Sequence, residues 1–260
     1  MDARSHFVWL DQSQTRPHFP DPQLAMREPN GLLAAGGNLS PAWLLAAYEQ
    51  GIFPWFSPGE PILWWSPDPR AVLPCGQLHR SQKLQRKLRQ ERFAATWNLA
   101  FTEVLRHCSR ANDPDQGIWL GPQMQQAYTE LHRLGHAHSV EIWIDQTLAG
   151  AVYGVRRGPV FFAESMVSLR SDGSKLALCA LEDVLLSLGV NLIDAQIPSA
   201  HLARMGFESW ARGRFLSALR SRLTTARVRE PAAGIRRRWL AGNVDHLPND
   251  HGLQTTRGRQ

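Results

Sequence analysis

Between Ser139 and Ile197 the spacing of apolar residues changes from two to 3.6 and back to two, which commits this stretch to a sheet with a helix inserted in it. Residues 140–144, 148–155 and 159–166 alternate, with turns at Asp145-Gln-Thr and Arg156-Arg-Gly, and read as an antiparallel meander. Residues 174–188 read as a long apolar helix stopped by Gly189. After it comes Asn191-Leu-Ile-Asp-Ala-Gln-Ile197, closed by Pro198. As a strand, this run puts Asp194 and Gln196 on one face with Leu192. The third meander strand carries Glu164 on a face with Phe162 and Met166. A carboxylate or carboxamide inside such apolar runs must find a partner. A tie to a neighbouring loop and a functional site satisfy that need equally well at this point.

Around this stretch the remaining elements fall into order. Strands are expected at 71–73 and 93–99, and helices at 101–108 and 122–134. Beyond 197 a short helix at 201–205, a strand at 207–211 and a helix at 214–223 complete the pattern. The expected class is α+β, and the succession strand–strand–strand–helix–strand–helix–strand resembles the acetyltransferase-like (GNAT-like) mixed-sheet layout in its order. Ahead of it, residues 1–70 read as a small N-terminal α/β domain. Phe7-Val-Trp-Leu10 is a candidate strand, Ser40-Pro41 a helix start, and 42–50 a helix ended by Gly51. Prolines at 54, 58, 61, 67 and 69 rule out a long helix before Arg70 and leave a rigid aromatic loop. The catalytic domain is expected over 71–230, and 231–260 as a basic, flexible tail.

Composition excludes several classes. The chain has 260 residues, 43% of them hydrophobic, yet no apolar run approaches a membrane span and the N-terminus has no signal-peptide core, so a cytoplasmic protein is expected. Three separated cysteines suggest neither disulfides nor zinc. His132, His136 and His138 straddle a helix end without a metal signature, and no GxSxG, Walker or GxGxxG motif occurs. Neither a metal nor a cofactor is expected. The net charge of +6 permits a polyanionic partner. Around 78–90, Leu84 and Leu88 share a stripe while Arg80, Lys83, Arg86, Lys87 and Arg89 project elsewhere, either as a solvated face or as an RNA contact. Two functions fit. One is an enzyme using Glu164, Asp194 and Gln196 on an amine; the other is a nucleic-acid module using the basic helix and tryptophan platforms.

Longer blocks favour the first. Arg27-Glu-Pro-Asn-Gly-Leu-Leu, Gly36-Gly37, Gly51-Ile-Phe-Pro-Trp-Phe, Leu63-Trp-Trp-Ser-Pro-Asp-Pro-Arg70, Leu134-Gly-His-Ala-His-Ser-Val-Glu141, Ala163-Glu-Ser-Met166 and Ile193-Asp-Ala-Gln196 resemble, in order, the leucyl/phenylalanyl-tRNA–protein transferases. The resemblance implies transfer of Leu or Phe, less readily Met, from aminoacyl-tRNA to proteins beginning with Arg or Lys, creating an N-terminal degradation signal. It implies that Asp194 and Gln196 hold and activate the acceptor amine, with the tRNA ribose as a possible participant, and that Glu164 lies beside the aminoacyl group. Phe161, Met166 and Leu178 match the apolar cavity for the transferred side chain. Phe161 and Met166 have opposite parity and need a bulge to share it. Trp55 and Trp119 match the aromatic positions flanking the terminal adenosine, and Arg80, Lys83, Arg86 and Lys87 then become acceptor-stem contacts. Ala163, Ala195 and Val167 depart from the family pattern, Val167 with a consequence for pocket shape. A monomer is expected.

Overall fold

The computed structural model describes residues 7–15, 17–90, 93–110 and 119–225, together with the backbone of 237–240 and 243–246. Four strands form a small sheet: β1 (Val8–Leu10), β2 (Leu32–Gly36), β3 (Phe53–Pro54) and β4 (Leu63–Trp65). Their spatial order is β1-β2-β4-β3, so β3 lies at an edge. Helix α1 (Pro41–Glu49) follows β2, with Pro41 in its first turn, where a missing N–H costs nothing. Phe19, Trp43 and Trp64 pack edge-on or tilted beneath this sheet, and both indoles are fully buried.

The larger sheet contains β5 (Arg70–Pro74), β6 (Ala94–Trp97), β7 (Ala137–Ile144), β8 (Thr147–Arg157), β9 (Val160–Ser168), β10 (Leu192–Asp194) and β11 (Glu208–Trp210). A last pair, β12 (Arg237–Leu240) and β13 (Asn243–His246), extends it at the β6 edge. The order is β11-β5-β10-β9-β8-β7-β6-β12-β13. Only β9 and β10 run parallel; every other neighbouring pair is antiparallel. The crossover between them is α5 (Gly173–Ser187), the helix expected from the 3.6-residue period. The other helices are α2 (Gln82–Gln90), α3 (Phe101–Arg110), α4 (Pro122–Arg133), α6 (Ala200–Arg204) and α7 (Arg212–Thr225). The remainder of the stretch expected to be a basic tail lies outside the described residues.

Two apolar cores flank the large sheet. On one face α5, through Leu178 among others, covers Phe161 and Ile193. On the other, α1, α3, α4 and α7, with Tyr128 of α4 and Phe215 of α7, cover Phe162 and Tyr153. Trp43, Tyr48 and Trp64 of the N-terminal region belong to this second core, so the two sheets share one apolar interior.

Two details of strand geometry differ from simple alternation, and both shape the site. In β9, Gly154 pairs with Ala163 while Tyr153 pairs with Ser165, which leaves Glu164 as the extra residue of a bulge. The parity that put Glu164 with Phe162 and Met166 therefore fails. Phe161, Ala163 and Met166 lie against one core, whereas Phe162 and Val167 lie in the other. Glycine is needed opposite the bulge, because a Cβ on Gly154 would stand 2.1 Å from the Phe162 carbonyl oxygen. The second detail is that β10 ends at Asp194, and Gln196 takes a left-handed backbone with φ of 61°. Asp194 and Gln196 therefore come together through a turn, not through a shared strand face.

Candidate active site

Past Asp194, β10 ends while its parallel neighbour β9 continues, and a cleft opens there between the large sheet and the β3 edge of the small one. It holds about 420 Å³, part of it open to solvent, and is lined by Phe53, Pro54, Trp55, Trp119, Glu164, Gln196 and Ile197. The proline-rich loop sets its aromatic wall. Trp65 Nε1 donates to the Trp55 carbonyl at 2.6 Å, and the two indoles sit 5.4 Å apart.

Glu164 and Gln196 are the polar groups at the base. Gln196 Nε2 donates to Glu164 Oε1 at 2.7 Å, and the Tyr128 hydroxyl donates to Oε2 at 2.7 Å. Tyr128 is joined to the Tyr48 hydroxyl at 2.9 Å. Burial drives the Glu164 carboxyl up to about 7, with the nearby Asp194 charge adding to the rise; the hydroxyls of Tyr128 and Tyr48 and the Gln196 carboxamide oppose it. Burial likewise raises both tyrosines, and the Glu164 charge raises them further, so their hydroxyls stay protonated donors.

Asp194 is fully buried and accepts three hydrogen bonds. Arg70 Nε and NH2 engage its two oxygens at 2.9 and 2.7 Å, and the Gln196 backbone N–H reaches Oδ1 at 3.0 Å. The third Arg70 nitrogen donates to the Gly51 carbonyl at 2.8 Å, and its guanidinium lies against the rings of Phe53 and Phe215. Asp194 thus holds the turn that presents Gln196, and its oxygens face Arg70 and the backbone, not the cleft.

Of the expected site residues, Trp55, Trp119, Glu164 and Gln196 converge on the cleft. The bulge brings Phe161 and Met166 to the same side of β9, where Phe161 and Leu178 are sealed in the core and Met166 is half-buried against it. None of these three lines the cleft itself. The basic residues divide. Lys83, Arg86 and Lys87 border a surface depression with Ser171 and Asp172, where Lys87 Nζ donates to the Ser171 carbonyl at 2.6 Å. Arg80 precedes α2 and bridges Glu182 and Asp183 at 3.0 and 2.7 Å, so it braces α5.

Arg70, Tyr48 and Tyr128 were missed by sequence reasoning. Arg70 closes the Leu63–Arg70 block, which marks it for notice but does not name its partner; the tyrosines carry no sequence signal that places them together. Among the described residues no group of three His, Cys, Asp or Glu side chains could hold a metal ion. His138 stacks on Trp97, contacts Asn98 through Nδ1, and is pushed down to about 3 by burial, so it is neutral. His132 donates from Nδ1 to the Ala137 carbonyl and stacks on Phe101. Glu141, raised by burial, accepts from Ser139, Thr96 and the N–H groups entering α3. These are structural roles.

An aromatic cleft with a carboxylate and a carboxamide at its base suits amine attack on an activated acyl group, and with the α+β fold it defines an acyltransferase class of protein. Residues 72–220 match the family described as leucyl/phenylalanyl-tRNA protein transferase, and residues 37–68 match its N-terminal domain. The chain belongs to the leucyl/phenylalanyl-tRNA–protein transferase family and is an aminoacyltransferase. It is 52% identical over 204 residues to a leucyl/phenylalanyl-tRNA–protein transferase of Aromatoleum aromaticum, covering 78% of this chain and 86% of the relative. A Yersinia enterocolitica protein of the same name is 52% identical over 201 residues, covering 77% and 84%. Among solved structures, a GCN5-related N-acetyltransferase from Kribbella flavida overlaps 66% of this chain and 61% of its own, at 14% identity and a TM-score of 0.36.

Proposed function

We propose that this enzyme transfers Leu or Phe, and less readily Met, from the 3′ end of aminoacyl-tRNA to the α-amino group of proteins beginning with Arg or Lys, marking them for N-end rule degradation. The observation that carries the reading is the Glu164–Gln196 pair at the base of a cleft walled by Trp55 and Trp119. The indoles suit stacking on the terminal adenosine, and in this reading the core opens so that Phe161, Met166 and Leu178 form the apolar seat of the transferred side chain.

In this reading the acceptor α-ammonium meets Glu164 and the free oxygen of Gln196. One proton passes to the Glu164 carboxylate. The nitrogen lone pair attacks the ester carbonyl carbon, a C–N bond forms, the C–O bond to the ribose breaks, and a proton goes to the departing ribose oxygen. The products are a peptide bond and a tRNA hydroxyl. An α-amino group titrates near 8 and an ordinary glutamate near 4, so a base at about 7 is far better matched to this proton. A carboxamide cannot take the proton, and Asp194 has its acceptor capacity engaged by Arg70 and the Gln196 backbone, which supports Glu164 as the base. Asp194 is then a positioning residue. Lys83, Arg86 and Lys87 suit phosphate contact along the acceptor stem, a sequence-independent contact that tolerates several tRNAs.

The test is transfer of radiolabelled Leu from charged tRNA to two peptides, one with a free N-terminal Arg and one acetylated there. Label is expected on the free peptide alone. Equal labelling of both, or of neither, overturns the assignment.

A further inference from the structure

The chain has only three tyrosines, from α1, α4 and β8, and all three are buried beside Glu164. Tyr128 donates to Glu164 Oε2 and accepts from Tyr48 behind it, while the Tyr153 ring stands edge-on to Tyr128 with centroids 5.5 Å apart. Three hydroxyphenyl side chains from separate elements are more than packing requires, since phenylalanine would fill the same space without bringing polar atoms into the core.

We infer that Tyr128, backed by Tyr48, is a positioning residue of the transfer reaction: its hydroxyl pins Glu164 Oε2 and turns Oε1 and Gln196 toward the acceptor amine. The inference rests on Glu164 being the base. Without a donor on Oε2 the same buried carboxylate would hold its proton further into the alkaline range and could not take another. Every polar group packed around it bears on this balance. Gln196 donates to Oε1. Asp194 adds negative charge, compensated by its ion pair with Arg70. Tyr153, raised by burial, contributes a neutral hydroxyl. The two donors come from different places: Tyr48 lies in α1, with the small sheet, and Tyr128 in α4, over the large one. The site is therefore complete only when both regions are packed together.

The experiment is the pH dependence of kcat/KM for an Arg-initiated peptide at saturating leucyl-tRNA, for the natural protein, Tyr128→Phe, Tyr48→Phe and Glu164→Gln. The natural protein should show activity rising through about 7. Tyr128→Phe should move that limb up by about one pH unit, a roughly tenfold loss at pH 6.5 that fades by pH 9. Tyr48→Phe should shift it the same way by less. A loss with Tyr128→Phe that is equal at all pH values, or an unmoved limb, makes the tyrosine merely structural and overturns the inference. If Tyr128→Phe fails to fold, Tyr48→Phe decides alone, a shift supporting the inference and an unmoved limb rejecting it. If the natural protein has no limb between pH 6 and 8, or Glu164→Gln retains one, Glu164 is not the base; that result overturns the underlying reading together with the inference.

Discussion

Glu164, the base in the proposed reaction, also weakens the fold that holds it. Its carboxyl is pushed from the usual carboxylate range to about 7, chiefly by burial. Folding therefore favours its protonated form. The stability this contributes is present below the unfolded value near 4.3 and is lost as pH rises through about 7. Glu164→Gln removes that loss. Its melting temperature should match the natural protein at pH 4 and exceed it by roughly 7–14 °C at pH 8, while transfer activity is abolished at both. Equal melting temperatures at pH 8 would show that the carboxyl carries no such cost. Sequence inspection found Glu164 because an acid interrupts an apolar run. It could not find the reason the acid is tolerated, because Tyr48 and Tyr128 lie 116 and 36 residues from it in the chain.

At the level of elements, β9 and α2 are instructive in opposite ways. The resemblance required Phe161 and Met166 to share a cavity, which alternation forbids; the bulge at Glu164 reconciles them, and Gly154 opposite makes it possible. A bulge leaves little mark in a single sequence because it depends on the partner strand's register. For α2, a charge run was legible, but its division was not. Lys83 and Arg86 border the depression, whereas Arg80 is engaged with Glu182 and Asp183. Lys83→Ala with Arg86→Ala should reduce the slope of log affinity for tRNA against log salt by about 2. Arg80→Ala should leave the slope unchanged while lowering thermal stability. A slope change with Arg80→Ala, or none with the double variant, would reverse the assignment.

Across the whole molecule, the two sheets are locked by buried arginines. Arg70 joins Gly51, ahead of β3, to Asp194 at the end of β10; Arg212 at the start of α7 donates to the carbonyls of Ser66, Gln23 and Ala25. Arg70 thus joins the segments that lead into the two sides of the cleft, and Arg212 adds a second tie between the N-terminal region and α7. Asp194→Asn leaves a buried guanidinium without its counter-charge and should cost about 3–5 kcal/mol in urea unfolding. Arg70→Met with Asp194→Leu should recover most of that stability but not transfer activity, because the Gln196 N–H has lost the acceptor that holds its turn. Recovery of both together would show that Asp194 has no positioning role. The sequence by itself determined the α+β class, the order of the elements and the family, because apolar period, glycine and proline punctuation and long aromatic blocks are local properties. It also marked Glu164, Asp194 and Gln196. Only the tertiary structure decided what each of them contacts. Arg70 and the tyrosines reach them from distant segments, and whether a buried carboxylate holds a neighbouring turn or faces an open cleft depends on those partners, not on its neighbours in the chain.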